Sequence, residues 1–99
     1  MPLRILLDGG VPHVIKRRLN TLSIFTVEEM GWRGIKNGAL LDLMAEEFQT
    51  IVTTDKNLPF QQNLAQRRIA AVILPSNRIR TVIELLPKIE SAQVTISPG

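Results

Sequence analysis

The chain has 99 residues, 44% of them apolar and none a cysteine, so it makes one domain whose core needs no disulfide and whose chemistry includes no thiolate. Twelve Lys and Arg against nine Asp and Glu leave a net +3, an excess that permits contact with phosphates without requiring it. No apolar run approaches the roughly 18 residues of a spanning helix, and the start lacks the form of a signal peptide, so a cytoplasmic protein without membrane contact is expected.

In chain order, Arg4 to Leu7 reads as a strand, because Ile5, Leu6 and Leu7 run directly into Asp8, Gly9 and Gly10. Pro12 can open a helix in which Val14, Ile15, Arg18 and Leu19 recur at helical spacing, until Asn20 and Thr21 interrupt them. Ser23 to Val27 is the next strand. Glu28 to Gly34 has two glycines and no periodicity and reads as a loop. Its tryptophan, Trp32, is expected to anchor the loop or cover the sheet edge rather than stack on a base.

Asn37 is a good cap for a helix from Gly38 to Phe48. Leu40, Leu41, Leu43, Met44, Ala45 and Phe48 supply its buried stripe, and Ala39, Asp42 and Glu46 share the opposite face. Thr50 to Thr54 is β-branched throughout and makes a strand that stops before Asp55. Asn57 to Gln61 is a turn into a short helix ending near Arg68, and Ile69 to Leu74 is a further strand. Pro75 closes it, Ser76 or Asn77 can cap a last helix, and Val82, Ile83, Leu85, Leu86 and Ile89 form that helix's apolar side. Pro87 should kink or end the helix near Leu86. Gln93 to Ile96 would then add a fifth strand.

Strands alternating with helical patterns imply an α/β chain with a three-layer α/β/α arrangement and a mostly parallel sheet of about five strands. A strand order of 2-1-3-4-5 would set Asp8 beside Asp55 at the C-terminal edge, where open α/β sheets bind ligands. Two carboxylates held a few ångströms apart suit a hard cation such as Mg²⁺ and hence phosphodiester hydrolysis. The competing reading is that each aspartate only caps the loop after its strand.

Four stretches together resemble a family of small bacterial PIN-like proteins, over nearly the whole chain. They are Arg4-Ile-Leu-Leu-Asp8, then Gly31-Trp-Arg-Gly-Ile-Lys-Asn-Gly38 with Leu40-Leu41, then Val52-Thr-Thr-Asp55-Lys-Asn-Leu-Pro-Phe-Gln-Gln-Asn-Leu64, and Leu74 with Ser76-Asn-Arg78. The resemblance implies an α/β/α nuclease fold, a Mg²⁺- or Mn²⁺-dependent ribonuclease, and a toxin silenced by an antitoxin-like protein. Asp8 matches the acid after the first strand and Asp55 the acid of the Thr-x-Asp motif, as catalytic residues and metal ligands. Gly9 and Ala39 stand where relatives usually carry glutamates, so metal affinity and activity should be weakened.

Asp42 and Asn57 are the auxiliary candidates. Lys56, Arg67, Arg68 and Arg78 are the candidate RNA contacts, and His13 is read as an ordinary exposed histidine. The rival reading is a catalytically silent module that binds an antitoxin-like protein or RNA. A homodimer is a further expectation, because small domains of this type hide a helical face in self-association.

Overall fold

The computed structural model of the chain describes residues 4–20, 22–35, 37–58 and 68–95. In chain order these hold β1 (Arg4–Leu7), α1 (Val14–Arg18), β2 (Ser23–Thr26), α2 (Asn37–Met44), β3 (Thr50–Thr53), β4 (Ala70–Ile73) and α3 (Ile79–Thr95). The strands form one sheet in the order β2-β1-β3-β4. Every pairing is parallel, with Leu7 opposite both Thr26 and Val52, and Thr53 opposite Ile73. The expected order therefore holds for the first four strands.

Alternation along each strand sorts the core into two layers. On one face Ile5, Leu7, Ile24 and Val52 pack with Val14 and Ile15 of α1 and with Val82, Leu86 and Ile89 of α3. On the other, Leu6 and Ile51 pack with Leu40, Leu41 and Met44 of α2 and with Phe48. β1 and β3 lie inside the sheet and are covered on both faces, which is why they read as almost unbroken apolar or β-branched runs. The helical layers and the parallel sheet match the α/β expectation.

Among the described residues there is no fifth strand: Gln93 to Thr95 continue α3, and Ile96 lies outside the described residues. Pro87 does not end the helix. It removes one donor and crowds a carbonyl, but Leu86 before it and Ile89 after it are both buried against the sheet layer, so packing holds the helix on either side. α2 also differs from expectation. It stops at Met44, since Glu46 and Glu47 would place negative charge at its negative pole and the Gln49 amide is already donated to the Arg4 carbonyl. Leu43 and Ala45 are exposed instead of buried. The short helix expected before Arg68 falls outside the described residues.

An aromatic row closes the α2 face. Phe48 meets Phe25 and Trp32 edge-on at centroid separations of 5.7 and 6.0 Å, and the Arg4 guanidinium lies over both phenyl rings. Among the described residues, no helix is long and apolar enough to cross a membrane.

One buried polar atom of the sheet stands out, because Thr50 Oγ1 has no hydrogen-bond partner. Thr50 is fully buried in β3 between Ile5 and Ala70. An unpaired hydroxyl there carries a desolvation cost that a methyl group of the same shape does not. Thr50→Val is expected to stabilise the protein by about 1 kcal/mol, seen as a higher urea midpoint with an unchanged slope.

Candidate functional site

The ends of β1 and β3 are tied together by one backbone hydrogen bond and one hydroxyl. Past Leu7, the Asp8 amide still donates to the Val52 carbonyl at 2.9 Å, which fixes Asp8 against the end of β3. Thr53, the last residue of β3, is buried; its Oγ1 donates to Asp8 Oδ2 at 2.8 Å and accepts from the Asp55 amide at 3.1 Å. The other Asp8 oxygen, Oδ1, accepts from the Gly9 amide at 2.8 Å. The half-buried Asp8 carboxylate is thereby oriented by two donors, while the Val52 carbonyl holds its backbone.

Asp55 is half-buried and shapes its own loop. Its Oδ1 accepts from the Asn57 amide at 2.9 Å, while its carbonyl accepts from Leu58 at 3.2 Å. That is the loop-capping role aspartate often takes after a strand. The structure thus shows this role for Asp55 directly, beside its link through Thr53 to Asp8.

Asp8 also lines a cleft of about 350 Å³. One rim is the Gly9–Gly10 turn and the other the stretch from Trp32 to Gly34, with Glu28 and Arg33 contributing charge and Leu40 an apolar wall. Gly10 and Gly34 have φ of 87° and 82°, which a side chain would resist, so both rims depend on glycine. Asp55 is not among the described residues lining this cleft.

The loop after β2 is built by a reciprocal pair at Thr26 and Glu29. Thr26 Oγ1 accepts from the Glu29 amide and Glu29 Oε1 from the Thr26 amide, at 3.1 and 3.0 Å. This Thr-x-x-Glu arrangement is a capping box, and it ends β2 before Val27. Lys16 of α1 donates to the same Glu29 carboxylate. That hydrogen bond, followed by the one from the Thr26 backbone, holds the Glu29 carboxyl below its ordinary range. Beside it, His13 Nε2 lies 3.5 Å from Glu28 Oε2, spanning the loops after β1 and β2.

The remaining sequence candidates are dispersed. Asp42 is exposed on α2, one turn beyond the exposed Ala39, and Asn57 and Lys56 are exposed in the loop after β3. Arg68 is exposed at a φ of 57°, and Arg78 is exposed with its amide donated to Ser76 Oγ. Arg67 lies outside the described residues. None of Lys56, Arg68 and Arg78 lines the cleft, whereas Arg33 does.

Trp32 is half-buried against Phe48, so its expected anchoring role is observed, although it also forms part of the cleft wall. Sequence reasoning passed over Thr53, Glu28 and Arg33 as site residues. The available signals were the two-residue step from Thr53 to Asp55 and the glycines flanking Trp32 and Arg33. Among the described residues, no group of three or more His, Cys, Asp or Glu side chains is placed to hold a metal ion. No family model, curated protein or solved structure matches the chain.

Two outcomes follow from these links. Thr53→Val removes the donor to Asp8 and the acceptor of the Asp55 amide, so unfolding in urea should show a loss of about 1–3 kcal/mol; Thr53→Ser should recover most of it. For Glu29, a folded-state pKa below the unfolded one means stability that is present above the unfolded value and lost as pH falls through the folded value. Gln can keep the capping box without the charge. Glu29→Gln should therefore be less stable than the parent at pH 7 by under about 1 kcal/mol, as befits an exposed pair. The difference should shrink as pH falls below the ordinary carboxylate range and disappear only once the lowered folded-state value has been passed.

Proposed function

We propose that this chain is a PIN-like domain of the toxin type, which binds a divalent cation weakly through Asp8 and Asp55 and hydrolyses RNA with it. The observation that supports this most is the Thr53 hydroxyl, which joins the Asp8 carboxylate to the Asp55 backbone at the C-terminal edge of two adjacent parallel strands. Ligands of open α/β sheets gather at that edge, beside the point where the strand order reverses.

The donor chemistry fits a hard cation, although minimally. Each Asp8 oxygen accepts one protein hydrogen bond and retains a second acceptor direction. Mg²⁺ and Mn²⁺ favour such oxygens, and a two-acid site leaves most of the coordination shell to water. A bound cation of this kind polarises a phosphoryl oxygen and makes its water more acidic. The protein's own contribution is to hold the Asp8 carboxylate in one orientation through Thr53 and Gly9. The antitoxin-like partner belongs to the same proposal.

A second reading, a catalytically silent module that binds an antitoxin-like protein or RNA, draws on a specific observation. Gly9 and Ala39 are exposed positions without carboxylates, and no three-acid group exists among the described residues. Against it, the apolar stripe of α3 is not left over for a partner, since Val82, Leu86 and Ile89 are buried in the chain's own core.

The two readings separate by experiment. Calorimetric titration should show weak Mg²⁺ binding that Asp8→Asn removes. Glutamates can be placed at both departures: a Cβ on Gly9 would sit 4.0 Å from Val27 Cγ2, in ordinary contact, and Ala39 is exposed. Gly9→Glu with Ala39→Glu should tighten Mg²⁺ binding by about tenfold or more, since affinity follows ligand charge and number. Single-stranded RNA cleavage should rise in parallel and vanish on adding Asp55→Asn. An absent metal response in both proteins would leave the silent module as the correct reading.

A further inference from the structure

The cleft beside Asp8 carries a set of groups that the two-acid reading leaves unused. Its charged lining is Asp8 and Glu28 against Arg33, two acids and one base, so it is mildly acidic with a single cationic anchor. Asp8 is held by Thr53 and Gly9, and Glu28 has His13 at 3.5 Å. Arg33 makes no ion pair or side-chain hydrogen bond among the described residues, and it is exposed. A guanidinium in that position is a standing site for an anionic oxygen group, which it can grip with two parallel donors.

Size and shape narrow the ligand. About 350 Å³ lies at the small end of the roughly 300–1,000 Å³ of ordinary ligand sites. Around Gly10 and Gly34, their chain neighbours aside, no atom of the described residues lies within 4 Å of where a Cβ would stand, so a ligand can approach the backbone of both rims. Trp32 forms part of the wall and is only half-buried, with its edge-to-face packing directed at Phe48. An indole in such a wall offers a surface on which a base can stack. Ionised carboxylates accept hydrogen bonds only, so Asp8 and Glu28 call for a ligand rich in donors, such as a ribose diol.

Inorganic phosphate would engage Arg33 and leave the acids and Trp32 without a partner. A nucleoside would do the reverse. The group that engages all of them together is a ribonucleoside monophosphate. We propose that the cleft between the Gly9–Gly10 turn and the Trp32–Gly34 segment binds one ribonucleotide unit, its phosphate on Arg33, without a divalent ion. The proposal concerns the same cleft as the ribonuclease reading but does not need its metal. It can therefore stand or fall separately.

Trp32 supplies the readout, because the chain has one tryptophan and no tyrosine. The full chain is titrated in EDTA with adenosine 5′-monophosphate, its 2′-deoxy analogue, adenosine and inorganic phosphate. Tryptophan emission is followed, with calorimetry as a second measure. The ribonucleotide should bind best, with the deoxy analogue and adenosine each about tenfold weaker, the loss expected for one charge-assisted hydrogen bond. Arg33→Ala should weaken the ribonucleotide by about tenfold and leave adenosine unchanged, and Arg33→Lys should fall between, as a point charge replaces a fork. Unchanged melting of both variants would confirm that an exposed side chain was altered without unfolding. Equal binding of adenosine and its monophosphate, an unaltered response in Arg33→Ala, or no response in the parent at millimolar ligand would each overturn the proposal. Binding in EDTA without cleavage in Mg²⁺ would uphold it and defeat the ribonuclease reading alone.

Discussion

Parallel pairing of β1 with β3 is the constraint on which the other features rest. Because both strands run the same way, their C-terminal ends fall at the same edge, and the Leu7–Val52 register sets Asp8 level with Thr53. The Thr53 hydroxyl then joins the loop after β1 to the loop after β3. It is buried, so the two hydrogen bonds it makes are shielded from water and have few competing partners. Reversing either strand would separate the aspartates by the length of the sheet. The helical layers matter to the site chiefly because they hold this pairing dry on both faces.

The parts of this fold legible in the sequence are those decided by local chemistry. β1 and β3 announce themselves through runs of apolar and β-branched residues broken by aspartate, and such runs suit strands covered on both sides. What eluded the sequence was decided by competition at longer range. Pro87 is a helix breaker locally, yet Leu86 and Ile89 bury on either side of it and the helix continues into the region read as a fifth strand. Leu43 belongs to the apolar stripe by spacing, but α2 ends one residue later and leaves it in solvent. Asp8 and Asp55 could be placed at one edge from their strands. Glu28 and Arg33 could not be placed at the cleft, because a loop after β2 reaches Asp8 only once β2 has paired beside β1.

Charge distribution along that edge divides the molecule's chemistry into neighbouring parts. Lys16, Glu29 and the Thr26 capping box form a surface pairing whose role is to shape the loop after β2. Glu28 next to Glu29 turns the other way, toward His13, and lines the cleft. Adjacent glutamates therefore have different roles, one structural and one facing the cleft.

The aromatic row from Phe25 through Phe48 to Trp32 has a consequence for how the cleft meets any ligand. Phe48 is fully buried and fixed by the α2 face of the core, so the wall that Trp32 forms is positioned before anything binds. Rotamer freedom that a surface tryptophan would lose on association has already been lost during folding. Recognition at this wall should consequently resemble insertion into a prepared slot, with little accompanying rearrangement and with selectivity governed by fit to a fixed contour.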